Sequence, residues 1–356
     1  MNSVKSIHFS RHLLQWNRQL NTRSMPWKAE KDPYKIWLSE IILQQTRVEQ
    51  GLEYYNRFVK KYPTVKKLAA ADETAVFKLW EGLGYYSRCK NLLSTAKFIA
   101  TELHGKFPVT YEEILKLKGV GPYTAAAIAS FAYNLPYAVV DGNVMRVLAR
   151  YFAISTPIDS TEGKKYFKSL ANSLLAKNEP AVYNQAIMDF GATVCKPQLP
   201  VCSTCLLKKE CTAFIKNETA KYPVKGNRLI KKDRWFYYVV AAYKGSYYVR
   251  KRTQNDIWQN LHEFILIEKE KPVDAKKILA GSAFIKMGGY NYELTGISKN
   301  YKQQLTHQTI HGCFIHIKPG KKISIEGYEP VKRSKMQKLA FPKLITAYFA
   351  DTGNLL

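Results

Sequence analysis

The residues best able to do chemistry in this chain fall in three places. The first is LKGVGPYTAAAIASFAYNLPYAVVDGN, Leu117 to Asn143, where Gly119 and Gly121 permit a tight turn and Pro122 suits the first turn of a helix. Backbone N–H groups aimed out of such a helix N-terminus suit a phosphate, and Asp141 would set a carboxylate beside whatever the turn holds. The second is a cysteine cluster, Cys195, Cys202, Cys205 and Cys211, with the spacing C-x6-C-x2-C-x5-C. Four thiolates packed so closely should bind metal; only Cys202 and Cys205 form a CxxC pair, and on spacing alone zinc and iron–sulfur both stay open. The third is Glu40, a glutamate inside an apolar helical pattern that shares a face with Gln44 and is either solvated or buried for a purpose.

The elements that must position these groups are mostly helical. A first helix is expected over 5–20, and Asp32 and Pro33 form a cap and N1 pair for a strong helix, PYKIWLSEIILQQTRVEQ. Further helices are expected at about 52–61, 64–71, 73–80 and 86–103. Thr110 and Glu113 make a capping box for the helix that Gly119 ends. Helices then run from Pro122, over 144–152, 161–175 and 183–193. GLGYYSR, residues 82–88, reads as a helix connector carrying tyrosines. After a polar, basic stretch at 221–234 the pattern changes to period two: WFYYVVAAYKGSYYVRKR reads as a hairpin turning at Lys244-Gly245. Strands near 262–268 and 308–317 and a helix near 342–350 follow. The expected domains are therefore a helical one over 1–220, a linker over 221–234 and an α+β one over 235–356.

Composition bounds the partner. The chain carries 55 Lys+Arg against 28 Asp+Glu, a formal charge of +27, which points to a polyanion. No apolar run approaches the ~20 residues of a membrane span, and the N-terminus has no continuous apolar region like that of a signal peptide. A soluble, intracellular protein is expected, cytoplasmic and nucleoid-associated, monomeric and without a membrane partner. Cys89 and Cys313 read as buried free thiols.

LxGVGxxTA, the downstream Asp141 and the cysteine cluster together resemble the helix-hairpin-helix DNA glycosylases, the superfamily of endonuclease III and the MutY adenine glycosylases. The resemblance covers almost the whole chain. It implies an all-α helix-hairpin-helix domain with a [4Fe–4S] cluster on Cys195, Cys202, Cys205 and Cys211, followed by a Nudix-like α+β domain. The run Ser39, Glu40, Leu43, Gln44, Gln45, Thr46 matches the signature of the MutY branch, in which Glu40 would protonate adenine and Gln45 would wedge into the duplex. Asp141 would stabilise an oxocarbenium ion, with Tyr123 and Asn143 orienting water and Asp141. Arg23, Trp27, Lys28 and Gln185 fall where the family lines the base pocket. Lys118, Gly119 and Gly121 would meet phosphate, and Thr46 belongs to the same duplex-facing run.

The resemblance further implies that Tyr85, with Leu83 near it, inserts beside the opposing base. Leu305, Thr306 and His307 stand where the family has a Phe-Ser-His element for 8-oxoguanine: threonine keeps the hydroxyl and leucine loses the aromatic ring. The implied activity is monofunctional excision of adenine opposite 8-oxoguanine or guanine in double-stranded DNA. Bifunctional relatives of the endonuclease III type place a lysine where this chain has Tyr123, which argues against a lyase. A non-enzymatic iron–sulfur DNA-binding protein would have no need of the pair Glu40 and Asp141.

Overall fold

A computed structural model of the chain describes residues 3–226, 231–281, 284–285 and 291–353. Residues 227–230 of the expected linker lie outside these. The chain divides into two compact units, Met1–Ala69 with Ser94–Asn227, and Ala70–Leu93 with Arg228–Leu356. The division differs from a simple cut after residue 220, because the segment 70–93 is tied to the C-terminal residues. Lys78 Nζ donates to the Leu339 carbonyl at 3.0 Å, the Phe341 N–H donates to Glu81 Oε1 at 2.8 Å, and Lys251 pairs with Glu73 at 3.0 Å.

In chain order the helices are α1 (Ser3–Gln19), α2 (Pro33–Leu43), α3 (Val48–Lys61), α4 (Val65–Ala69), α5 (Glu73–Trp80), α6 (Tyr86–Thr101), α7 (Tyr111–Leu115), α8 (Pro122–Tyr133), α9 (Gly142–Phe152), α10 (Thr161–Leu174), α11 (Pro180–Thr193) and α12 (Thr212–Ile215). The described residues of the first unit are all helix, turn or loop. Its core gathers Phe9, Leu13, Val147, Leu148, Phe167, Leu170, Tyr183 and Phe190 from α1, α9, α10 and α11. Each such side chain contributes about 1.5–3 kcal/mol on burial. α8 is apolar on nearly every side and is packed against α2, and Gln44 at the end of α2 donates to Thr124 in the first turn of α8.

The long helix expected through Gln50 instead ends at Leu43. Gln45 takes a left-handed φ of 54°, and the Thr46 N–H donates to the Leu43 carbonyl at 3.1 Å. Two features of the chain account for the break. Gln44, Gln45 and Thr46 offer no apolar face to continue the buried stripe, and Gly51 lets α3 fold back so closely that an added Cβ would lie 2.6 Å from Leu43 Cδ2. The capping expectations are met: Thr110 accepts from the Glu113 N–H, and Gly119 has φ 79° between α7 and α8.

The second unit carries a mixed sheet. Its strands are β1 (Lys232–Tyr243), β2 (Ser246–Lys251), β3 (His262–Lys269), β4 (Tyr292–Ile297), β5 (Tyr301–Gln304), β6 (Gln308–Pro319) and β7 (Glu329–Lys332), in the order β4-β6-β1-β3-β2-β7 with β5 paired to β6. β1 and β2 form the expected hairpin, with φ positive at both Lys244 and Gly245 as a two-residue turn requires. The central pair β1 and β6 is parallel from Lys232↔Gln308 to Ala241↔Ile317. α13 (Ala275–Ala280), α14 (Arg333–Met336) and α15 (Lys343–Thr352) complete the unit, and Tyr348 of α15 stacks on Phe314 of β6 at 3.8 Å. β4, β5 and β7 are short and largely exposed, which is why their alternation escapes a sequence reading. Among the described residues, no helix is long and apolar enough to cross a membrane.

One close approach ties the helical packing to the loop before α9. A Cβ added to Gly191 of α11 would lie 2.7 Å from Asn143 Cβ and 3.1 Å from its carbonyl oxygen, whereas one added to Gly142 meets nothing within 4 Å. Gly191→Ala is therefore expected to lower stability by about 1–3 kcal/mol in urea unfolding, with Gly142→Ala nearly neutral.

Candidate active site

Several helix ends, among them those of α1, α2, α8, α9 and α11, meet at a cavity of about 450 Å³ in the first unit. Arg23, Trp27, Lys28, Glu40, Thr46, Tyr123, Asp141, Asn143 and Gln185 all line it, so residues that sequence analysis assigned to catalysis and to base binding are brought together. Glu40 enters from the last turn of α2, whose strong cap at Asp32 and apolar flanks hold it in place. Tyr123 sits in the first turn of α8, after Pro122 at N1. Asp141 is the N-cap of α9; its Oδ1 accepts from the Val144 N–H at 2.7 Å and its Oδ2 from Asn143 Nδ2 at 2.7 Å. Capping is thus its structural duty, and the same geometry presents the carboxylate to the cavity.

The electrostatics separate the two carboxyls. Glu40 is only 8 % exposed; burial pushes its pKa up to about 7, the hydrogen bond from the Tyr123 hydroxyl pulls it down, and the Asp141 charge pushes it up further. Burial also raises Asp141, but the Val144 N–H, Asn143 and the Arg146 guanidinium all favour its ionised form. The two carboxyls thus differ in what surrounds them: burial dominates Glu40 and favours its protonated form, whereas donors and a guanidinium oppose the effect of burial on Asp141.

Behind the cavity lie residues that sequence analysis did not single out. Asp189 of α11 is fully buried and accepts from Asn21, Arg23, Lys28 and Gln185. The available signal was the same as for Glu40, a lone carboxylate in a helix that is otherwise apolar. Arg146 reaches Asn143 Oδ1 at 2.8 Å and the carbonyls of Gly191 at 2.7 Å and Cys195 at 2.8 Å, so it braces Asn143 against the start of the cysteine loop.

Other expected site residues lie elsewhere. Gln45 is exposed on its turn next to Thr46, and Lys118 and Gly119 are exposed on the hairpin between α7 and α8. Gly121 has φ −95°, and a Cβ added there would meet nothing within 4 Å, so neither its backbone nor its protein neighbours demand glycine. In the second unit, Tyr85 Oη and Thr306 Oγ1 are 2.7 Å apart, both residues are exposed, and Tyr85 holds φ 48°. His307 is exposed beside Thr306. Leu83, expected near Tyr85, is only 7 % exposed and packs inside the unit.

Cys195, Cys202, Cys205 and Cys211 line a single cavity at the base of α9 and α11, all as free thiols. Arg150 lies beneath them, 3.4 Å from Cys195 Sγ and bonded to the carbonyls of Lys196, Pro197, Thr219 and Tyr222. Among the described residues no three potential ligands converge closely enough for a single metal ion.

Residues 38–173 match the HhH-GPD superfamily of base excision DNA repair proteins. The adenine DNA glycosylase of Buchnera aphidicola subsp. Baizongia pistaciae is 32% identical over 314 residues, 86% of this chain and 85% of the relative. The chain belongs to the adenine DNA glycosylase family. A second member, from Buchnera aphidicola subsp. Acyrthosiphon pisum, is 36% identical over 72% of this chain and 73% of its own length. Among solved structures, a thermostable thymine-DNA glycosylase superposes with a TM-score of 0.56 at 29% identity, covering 60% of this chain and 98% of that one. One helical fold thus carries glycosylases named for different bases.

Burial of Glu40 has a measurable consequence for folding. Because its folded pKa lies above the usual value of 4.5, the stability linked to its proton is complete below about 4.5 and is lost as pH rises through about 7. Glu40→Gln removes that loss, so it should stabilise the protein by about 2–3 kcal/mol at pH 8 and much less at pH 5. Urea unfolding of both proteins at the two pH values measures the difference.

Proposed function

We propose that the protein is a monofunctional glycosylase that excises adenine from double-stranded DNA where adenine is paired with 8-oxoguanine or guanine. The observation that carries this reading is the pair Glu40 and Asp141 on one cavity, Glu40 with its pKa pushed up to about 7 by burial and Asp141 with an N–H, an amide and a guanidinium that favour its ionised form. Adenine leaves poorly unless a ring nitrogen is protonated, and Glu40 gives its proton to N7 of the extruded base. As the glycosidic bond breaks, positive charge develops on the sugar, and the Asp141 carboxylate stabilises it. Asn143, held by Arg146, and Tyr123, bonded to Glu40, orient Asp141 and the water that adds to the sugar. Tyr123 in place of a lysine removes the amine that a Schiff-base lyase needs.

DNA is held by the basic surface and by the hairpin between α7 and α8. The exposed Lys118 and Gly119, and the open space before Gly121 at the N-terminus of α8, leave room for a phosphate against backbone N–H groups. Gln45 and Tyr85 are the wedges that fill the gap left by the extruded nucleotide. Both hold left-handed backbone, a strain that recurs at functional loops. The second unit, read as Nudix-like, checks the opposing base. Tyr85 and Thr306 already share a hydrogen bond at an exposed site, and Thr306 and His307 supply polar contacts that suit 8-oxoguanine.

Cys195, Cys202, Cys205 and Cys211 would hold the [4Fe–4S] cluster. Their donor set fits it: four cysteine thiols line one cavity beside the Arg150 guanidinium, and burial pushes the thiols of Cys202, Cys205 and Cys211 up, so that thiolates there need a cation. The cluster's contribution is structural, pinning the basic loop that carries Lys196, Lys208 and Lys209 to the base of α9.

Single-turnover strand scission after alkali, on duplexes with adenine opposite 8-oxoguanine, guanine, cytosine and thymine, tests the reading. Cleavage confined to the 8-oxoguanine and guanine pairs is expected, with the rate falling as pH rises past about 7. Glu40→Gln and Asp141→Asn should each lose about 10²–10⁴ in rate while still binding the duplex. No cleavage by the wild type, or full activity in Glu40→Gln, would reject it.

A further inference from the structure

The pocket wall opposite Glu40 is organised around a carboxylate that does not itself line the cavity. Asp189 Oδ1 accepts from Arg23 Nη1 at 2.8 Å and from Gln185 Nε2 at 2.9 Å, while Oδ2 accepts from Asn21 Nδ2 at 2.9 Å and Lys28 Nζ at 3.1 Å. Its side chain is fully buried, and those of Arg23 and Lys28 are about three-quarters so. Arg23, Lys28 and Gln185 line the cavity directly. A carboxylate only accepts hydrogen bonds, so the Gln185 amide must turn its NH2 group toward Asp189. Its carbonyl oxygen is then the free end, and no donor among the described residues reaches Gln185 Oε1.

We infer that Asp189 is a positioning residue that sets the hydrogen-bond polarity of this wall, locking Gln185 as an acceptor toward the base. The inference rests on adenine excision and deepens it. Adenine carries an exocyclic 6-amino group, a donor, whereas a 6-oxo purine such as hypoxanthine carries an acceptor at the same place. A free glutamine would serve either by turning over its amide. Held by Asp189 it cannot turn without leaving the carboxylate short of a donor and placing two acceptors face to face. The same carboxylate balances one of the two cations beside it, so that Arg23 and Lys28 are held in the wall instead of reaching out to phosphate.

The test compares excision of adenine, hypoxanthine and unsubstituted purine from otherwise identical duplexes, read as single-turnover rates with binding measured separately. Asp189→Asn presents an amide that can donate as well as accept, and releases Gln185. The adenine-to-hypoxanthine rate ratio is expected to fall roughly 10- to 100-fold relative to wild type, the range set by one buried hydrogen bond made or left unpaired. Gln185→Leu should lower the adenine-to-purine ratio, and adding Asp189→Asn to it should change neither ratio further. A purely structural role would slow all three substrates alike and leave both ratios unchanged, which would overturn the inference. Should Asp189→Asn fail to fold, the wild-type protein decides: slow exchange of one Gln185 side-chain N–H, assigned by its loss in Gln185→Leu, supports the lock, and exchange at the solvent rate overturns it. Absence of any adenine excision would reject the functional reading instead, and the exchange measurement would still report on Asp189.

Discussion

The structure is built around the burial of one acidic side chain without a countercharge. Glu40 lies at the closed end of a cavity, bonded to a tyrosine hydroxyl and facing a second carboxylate, and this environment disfavours its ionised form. Such a placement costs stability, and it persists only because the surrounding helices leave the side chain nowhere else to go. α2 is apolar on both sides of Glu40 and packed against α8, so moving the carboxyl to solvent would expose Ile36, Trp37 and Ile41. The raised pKa of Glu40 is thus a by-product of core packing, concentrated at one residue.

The neighbours of that residue come from helix ends, which supply oriented N–H groups without further cost. Asp141 caps α9, where that helix's N-terminal donors favour its ionised form against the effect of burial, while Tyr123 stands in the first turn of α8. The two carboxyls on one cavity therefore meet different surroundings: one is met by aliphatic side chains and a hydroxyl, the other by a backbone amide, a side-chain amide and a guanidinium. Arg146 and Gly191 extend the same rigidity to the cysteine loop, so that the position of Asn143 depends on how that loop is held.

Much of this was legible in the chain. Glycine and proline at 119, 121 and 122 mark the hairpin, the capping box marks α7, and a family resemblance assigned Glu40 and Asp141 to one site before any geometry was known. What escaped did so for physical reasons. The end of α2 at Leu43 depends on a tertiary contact, Gly51 against Leu43, that no local pattern reveals. The grouping of residues 70–93 with the C-terminal unit rests on hydrogen bonds to residues more than a hundred positions away. Asp189 was missed because a buried carboxylate declares itself only through the donors that converge on it, here from the loop after α1 and from its own helix. That Leu83 turns inward while Tyr85 stays exposed was likewise not legible, since a loop sequence does not say which of its apolar residues are buried.

The central claim is electrostatic, and it is best tested on the free protein with no substrate present. Carbon-13 NMR of the Glu40 carboxyl, assigned by its absence in Glu40→Gln, follows its protonation directly as pH is varied. The account predicts a midpoint near 7, moving downward when Asp141 is replaced by asparagine. A midpoint at the ordinary glutamate value near 4.5, unmoved by that replacement, would contradict it.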